Sequence, residues 1–168
     1  HNCFIVPVED TMESILKHNE TEGMIFRGGS GAGCNVSSLR GAGEKLSNKG
    51  TSSGSLSFMK MWDATAGVIK SGGKTRRSAK LVCMNDDHPD LMEFIECKKL
   101  EEDKAKILIQ SGIPAEEAYA TVAYQNTNHS VQVTDKFMNA VENDEMWMLK
   151  GRKDPSVNKE LPAREIFD

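Results

Sequence analysis

The sequence predicts an α/β domain, because short runs of strand length alternate with longer segments of helical period. CFIVPV at residues 3–8 is apolar without a helical repeat, and AKLVCMN at 79–85 and SVQVT at 130–134 are also typical of strands. Strands that alternate with helices favour an α/β arrangement, in which the loops at the strand ends carry function.

Length, composition and charge fit one globular domain of 168 residues, 38% of them hydrophobic and 27% charged. A net charge of -4 argues against a protein that coats nucleic acid. No apolar run approaches the ~20 residues that cross a bilayer, and no signal peptide is apparent, so we expect no membrane partner and a cytoplasmic location. The chain starts inside an apparent strand and stops inside an apparent helix, so we expect a piece of a longer protein.

Cysteine and histidine spacing predicts no metal site. The four cysteines form no C-x-x-C pair, so we expect free thiols in a reducing compartment (Cys3, Cys34, Cys83 and Cys97). The four histidines have no ligand spacing, and helix capping accounts for NDDHPD at residues 85–90.

Capping patterns and apolar periodicity place the first two helices. Asp10 is expected to cap the first helix, because Glu13 follows it at capping-box spacing. A second helix is predicted from Ser55 to Lys70, since apolar residues recur on one face (Met59, Trp62, Ala66 and Ile69).

The second half of the chain predicts two more helices and a hairpin. Asp87 or His88 is expected to cap a helix that has Pro89 at its first position and three inward residues (Leu91, Phe94 and Ile95). Another helix follows the strand at 130–134 and carries Phe137, Met138 and Val141. Residues 145–168 indicate a hairpin that leads into a terminal helix.

Two glycine-rich segments are candidate anion loops. RGGSGAGCNVSSLRGAG at residues 27–43 has six glycines, but it matches neither the P-loop nor the Rossmann spacing. A tightly turned loop is therefore an equal alternative there. KSGGKTRR at residues 70–77 combines glycines with cations that suit a phosphate or a base, and a solvated turn is the alternative.

Five segments, in order along the chain, carry a family resemblance: NCFIVPVEDTMESI, GGSGAGCNVSSLRGAGE, GTSSGSLSFMKMWD, GVIKSGGKTRRSAKLVCMNDDHPDLMEFIECK and NHSVQVTDKFMNAV. The sequence resembles ribonucleotide reductase catalytic chains over essentially all 168 residues. GTSSG, SGGKTRRSAK and DDHPDLMEFI are most similar to the adenosylcobalamin-dependent class II enzymes.

The resemblance implies a fold and a reaction. The fold is a ten-stranded α/β barrel built from two parallel halves, of which this chain would supply the N-terminal portion as a partial barrel domain. The reaction replaces the ribose 2'-hydroxyl with hydrogen by radical chemistry, using adenosylcobalamin in the full-length enzyme and a thioredoxin-like or dithiol reductant. The N-x-C-x-E motif of the radical cysteine does not occur in the sequence, so the chain alone is expected to be inactive.

The resemblance also implies residue roles. Cys3 matches one of the two cysteines that reduce the substrate, and Asn2, Ser30 and Gly31 match positions that face the ribonucleotide. Asp10 matches the residue on the sugar of a deoxynucleotide or ATP effector, and Arg40 matches an arginine on its phosphates. Residues 72–77 would form the loop that senses the effector base and rearranges over the substrate base, which either Arg76 or Arg77 would contact. The effector-binding residues near this loop would be Lys70, Gly72, Gly73 and Thr75.

Effector binding in the family implies a homodimer whose interface is formed by two helices from each chain. We expect the Asp10 helix and the Ser55 helix to contribute, which would make Met59 and Trp62 intermolecular contacts. Two alternatives remain: a non-catalytic deoxynucleotide-binding module, and a fragment of a class I iron-dependent reductase that uses a radical-generating partner subunit.

Overall fold

The computed structural model describes residues 3–47, 49–69 and 79–168. Its main feature is a parallel sheet of four strands in chain order, β1 Cys3–Ile5, β2 Gly31–Asn35, β3 Lys80–Asn85 and β4 Thr127–Gln132. A second, antiparallel pair consists of β5 Met146–Leu149 and β6 Lys159–Pro162. The predicted α/β class and the predicted hairpin are confirmed.

Six α-helices connect or follow the strands in the described part of the chain: α1 Met12–Arg27, α2 Ser55–Val68, α3 Leu91–Gln110, α4 Ala115–Thr121, α5 Asp135–Glu142 and α6 Ala163–Phe167. A short 3-10 turn, Pro155–Val157, lies between β5 and β6. None of the described helices is long and apolar enough to cross a membrane.

The core lies on the face of the sheet that the helices cover. Along β3, the side chains of Val82 and Met84 are fully buried, whereas Leu81 points to the other face and is exposed. Strand alternation therefore separates a helix-covered face from a face that bears Leu81.

Part of the first glycine-rich segment is a strand, so its interpretation as a loop was wrong for residues 31–35. Gly31–Asn35 forms β2, which pairs with β1 on one side and β3 on the other. Glycine is compatible with this position because the neighbours come close. A β-carbon on Gly31 would lie 3.1 Å from the carbonyl oxygen of Ala79 and 3.2 Å from the Cys3 sulfur.

Met59 and Trp62 belong to the core of this chain, and their assignment to an intermolecular contact was wrong. Their exposed fractions are 1% and 0%. Helix α1 of the same chain covers this face, and the His18 and Trp62 rings lie 4.4 Å apart between centroids. The apolar periodicity identified the buried face correctly but not the partner that buries it.

Thr11, not Asp10, is the N-cap of α1. The Thr11 hydroxyl accepts a hydrogen bond from the backbone nitrogen of Ser14 at 3.2 Å. In return, the Ser14 hydroxyl accepts one from the backbone nitrogen of Glu9 at 2.9 Å. The Asp10 carboxylate is left for a distant partner, so a tertiary contact takes precedence over local capping.

Several other boundaries differ from the sequence prediction, among them the ends of β1 and α2, which both come earlier than predicted. Helix α3 begins at Leu91, with Asp90 at the N-cap, so Pro89 is not its first residue. Ile95 is 43% exposed rather than inward. Strand β4 begins three residues before the predicted start at Ser130, because the polar residues from Thr127 onward pair with β3 in register.

Candidate functional site

The first candidate group surrounds Cys3 at the start of β1. Cys3 is an exposed free thiol whose strand partner in the sheet is Gly31. Gly29, with φ +80°, makes the turn between α1 and β2, and Ser30 follows with its backbone nitrogen bonded to the Ile25 carbonyl at 3.2 Å. The structure therefore pairs the predicted redox residue with Gly31, and Ser30 directly precedes that glycine.

The second candidate group is an ion pair before α1. Arg40 Nε lies 2.6 Å from Asp10 Oδ2, and the backbone nitrogen of Arg40 donates to Asp10 Oδ1 at 3.2 Å. The Arg40 side chain is 20% exposed and the Asp10 side chain is 15% exposed, so the pair is reachable from solvent. Lys153 Nζ is 3.9 Å from Asp10 Oδ2. Two cations therefore adjoin one half-buried carboxylate.

Glu44 is a fully buried carboxylate that fixes the loop after Arg40. Its oxygens accept hydrogen bonds from four backbone nitrogens at 2.7 to 3.1 Å (Gly41, Arg152, Lys153 and Asp154). Burial alone would raise the pKa of Glu44, but these four N–H groups together outweigh it and hold the pKa below its usual value. Glu44 thus joins the loop at residues 41–54 to the β5–β6 connection.

Asp90 and His88 fasten the same loop to α2 and α3. Asp90 accepts hydrogen bonds from the backbone nitrogens of Ala42 at 2.7 Å and Ser55 at 2.9 Å. The His88 ring bonds the Leu39 carbonyl oxygen at 2.9 Å, and burial lowers the pKa of His88. The NDDHPD segment therefore has two roles: it provides the N-cap position of α3, where His88 Nδ1 accepts a hydrogen bond from the Asp90 backbone nitrogen at 3.1 Å, and it bonds distant segments, which the sequence did not suggest.

A buried polar cluster ties α1 to β3. Glu22 contacts His18 Nε2 at 3.2 Å and forms an ion pair with Lys80, whose ammonium lies over the Trp62 ring at 5.1 Å. Cys34 lies beside them, and burial raises the pKa of its thiol to about 12. His18, Glu22 and Cys34 are close enough to hold a metal ion, but the Lys80 ammonium already supplies the positive charge that Glu22 requires.

The remaining predicted residues lie outside the described part of the chain (Asn2, Lys70, Gly72, Gly73, Thr75, Arg76 and Arg77). Sequence reasoning missed Glu44 and Lys153. No local pattern could have identified them, because the hydrogen bond that links them spans 109 residues.

The sequence and the sheet topology agree on one protein family. The chain matches the family described as "Ribonucleotide reductase, barrel domain" over residues 1–166, and it belongs to that family. Its parallel sheet with covering helices is part of the barrel of that family.

Similar proteins point to one kind of reductase. The chain is 48% identical, over 98% of its length, to a vitamin B12-dependent ribonucleotide reductase of Streptomyces avermitilis, of which it covers 17%. It is 51% identical over 88% of its length to the protein of that name in Rhodopirellula baltica, of which it covers 14%. It is 38% identical over 99% of its length to a vitamin B12-dependent ribonucleoside-diphosphate reductase of Thermoplasma acidophilum, covering 19% of it. The chain thus spans less than a fifth of these relatives.

Proposed function

We propose that this chain is the part of a cobalamin-dependent ribonucleotide reductase that supplies one redox cysteine, a substrate-facing glycine segment and the effector site. The names of the relatives support the reaction and the cofactor. The observation that carries the proposal is the pairing of Cys3 with Gly31, because it places an exposed thiol against backbone that carries no side chain.

Cys3 is one of the two reductants in this proposal, and its thiol is free and exposed. Each turnover removes the ribose 2'-hydroxyl as water and converts two thiols to one disulfide, so two electrons pass from sulfur to the nucleotide. Cys3 supplies one thiol, and the second lies outside this chain. Because Gly31 has no β-carbon, the Cys3 sulfur packs directly against its backbone, and in this proposal the ribonucleotide binds on the exposed side of the Cys3 thiol.

Asp10 and Arg40 supply the effector contacts in this proposal. The Asp10 carboxylate accepts a hydrogen bond from the sugar of a deoxynucleotide or from ATP, while the Arg40 guanidinium holds the phosphates. Their half-buried ion pair supports this role, since both groups lie within reach of solvent and of each other. Effector contacts from Lys70, Gly72, Gly73 and Thr75, and a substrate contact from Arg76 or Arg77, remain part of the proposal.

The cobalamin of the full reductase is not assigned to the described histidines. His18 and His88 are buried, and the half-buried His129 ring stacks on Phe94 at 4.7 Å. A large planar cofactor could not reach these rings without disrupting the core. We therefore assign no ligand of adenosylcobalamin to these residues and give them no step of the reaction.

A homodimer and an external dithiol or thioredoxin-like reductant complete the proposal. Helix α1 exposes three large apolar side chains, which suit a subunit contact (Met12, Leu16 and Met24). This surface replaces the Met59 and Trp62 contact, since both of those residues are buried within the chain.

The test uses the product of the reading frame that contains this chain. CDP and CTP reduction is assayed with dithiothreitol, with and without adenosylcobalamin, for the wild type, Cys3→Ser and Cys83→Ser. We expect cobalamin-dependent product from the wild type and its loss under multiple turnover in Cys3→Ser. Cys83→Ser is the matched control, because Cys83 is a free thiol on β3 of the same sheet.

Three results would contradict the proposal in different ways. Full multiple turnover by Cys3→Ser would remove the redox role. Product only with an iron-loaded partner subunit would move the chain to class I. Deoxynucleotide binding without product under either condition would identify a non-catalytic binding module.

A further inference from the structure

We propose that Lys153 is a further effector-binding residue, which joins Arg40 in holding the phosphates of a deoxynucleoside triphosphate beside Asp10. This inference rests on the proposed effector site and adds a residue that the family resemblance does not supply. Lys153 lies between β5 and β6, far from Asp10 in sequence, and its ammonium is 3.9 Å from Asp10 Oδ2.

The buried Glu44 carboxylate holds the backbone at Lys153 and at the residue that follows Arg40. Glu44 Oε1 accepts a hydrogen bond at 2.7 Å from the backbone nitrogen of Gly41, the residue after Arg40. Glu44 Oε2 accepts one, also at 2.7 Å, from the backbone nitrogen of Lys153 itself. The position of Lys153 beside Asp10 is therefore set by a buried contact of its backbone and not only by a mobile side chain.

The Lys153 ammonium is available for a ligand, whereas the neighbouring guanidinium is not. The Lys153 side chain is 64% exposed, and 3.9 Å from Asp10 is an ion-pair distance rather than a hydrogen bond. Arg152 donates to the Ser37 carbonyl oxygen at 2.7 Å and to both carboxylate oxygens of Asp87 at 2.8 and 3.3 Å. Of these two adjacent cations, only Lys153 can take a phosphate without breaking a hydrogen bond.

Charge balance explains why a second cation is needed. In the free protein, Arg40 neutralises Asp10 at 2.6 Å. When a sugar hydroxyl binds Asp10, the Arg40 guanidinium is free to turn to the phosphates, but a triphosphate carries more negative charge than one guanidinium balances. Lys153 supplies the additional positive charge, so its contribution grows with the number of phosphates.

The test measures equilibrium binding to the product of the reading frame that contains this chain. The affinities of the wild type for dATP, dTTP and dGTP are measured first, and the nucleotide that binds most tightly is chosen. The affinities for this triphosphate, its diphosphate and its nucleoside are then compared between the wild type and each variant. We expect Lys153→Gln to weaken triphosphate binding about tenfold, diphosphate binding less, and nucleoside binding not at all. Lys153→Arg retains most of the affinity. Lys159→Gln, an exposed lysine on β6, is the matched control and binds like the wild type.

The outcomes separate this inference from the effector site itself. Wild-type triphosphate affinity in Lys153→Gln, with a large loss in Arg40→Gln, would overturn the role of Lys153 and keep the effector site. An equal loss for all three ligands would indicate a structural effect and overturn the phosphate contact. Wild-type affinity in Lys153→Gln, Arg40→Gln and Asp10→Asn alike would overturn both proposals.

Discussion

Helix α1 has a carboxylate near each end, and the two lie in contrasting surroundings. Near its C-terminal end, Glu22 lies with Lys80 and His18 in what we call the closed cluster, in which all three residues are buried. Just before its N-terminus, Asp10 lies with Arg40 and Lys153 in what we call the open cluster, whose side chains are 15%, 20% and 64% exposed.

The difference separates a structural use of charge from the binding use that we propose for the open cluster. In the closed cluster, no ligand can reach the charges, so their pairing can only hold α1 on β3. In the open cluster, water and ligands compete for the same carboxylate and cations, so the partners can be exchanged at small cost. The same combination of residue types therefore predicts different functions according to burial.

The largest expected effect comes from breaking the closed cluster. Lys80→Met leaves the Glu22 carboxylate buried without its ammonium partner, which costs about 3–5 kcal/mol of unfolding free energy. Urea unfolding measures the cost. The matched control is Lys99→Met, because Lys99 pairs with Asp103 on an exposed face of α3 and contributes under ~1 kcal/mol. Equal midpoints for the two variants would show that the closed cluster does not stabilise the fold.

An intermediate effect is expected at Glu44, which links the open cluster to the hairpin. Glu44→Gln replaces one acceptor oxygen with an amide donor that faces backbone N–H groups, and it costs about 2 kcal/mol at neutral pH. Urea unfolding near pH 7 measures this cost, and an unchanged midpoint would refute it.

The pH dependence of that cost has a definite sign. The pKa of Glu44 is lower in the folded state than its ordinary value of 4.5, so its contribution to stability is full above the unfolded pKa. It is lost as the pH falls through the folded pKa. The stability gap between wild type and Glu44→Gln should therefore narrow below about pH 4. A gap that widens on acidification would contradict the assignment.

Of the three substitutions, Arg40→Gln is expected to have the smallest effect on stability, together with a large effect on deoxynucleotide binding. Arg40→Gln removes a half-exposed ion pair, which costs about 0.5–1 kcal/mol of unfolding free energy. Deoxynucleotide affinity should fall at least about tenfold, because the phosphates lose a guanidinium. Unfolding and binding are measured on the same preparation. A stability loss as large as that of Lys80→Met, with binding intact, would reverse the comparison.

The ordered sequence motifs identified Cys3, Asp10 and Arg40 as candidate site residues. Apolar periodicity predicted which face of α2 is buried. The strand at Gly31–Asn35 escaped prediction because glycine has a low preference for strands, and its pairing depends on neighbours that local sequence does not reveal. The roles of Glu44 and Lys153 depend on contacts between segments far apart in the chain, so sequence spacing carried no signal for them.

The most direct test of the account is the shift in thermal unfolding midpoint that deoxynucleoside triphosphates cause. It is measured on the product of the reading frame that contains this chain, as wild type, Asp10→Asn and Asp103→Asn. A ligand that binds the folded state raises the midpoint, so the account predicts a shift for the wild type and Asp103→Asn and its loss in Asp10→Asn. An undiminished shift in Asp10→Asn would contradict the claim that the open cluster is the effector site.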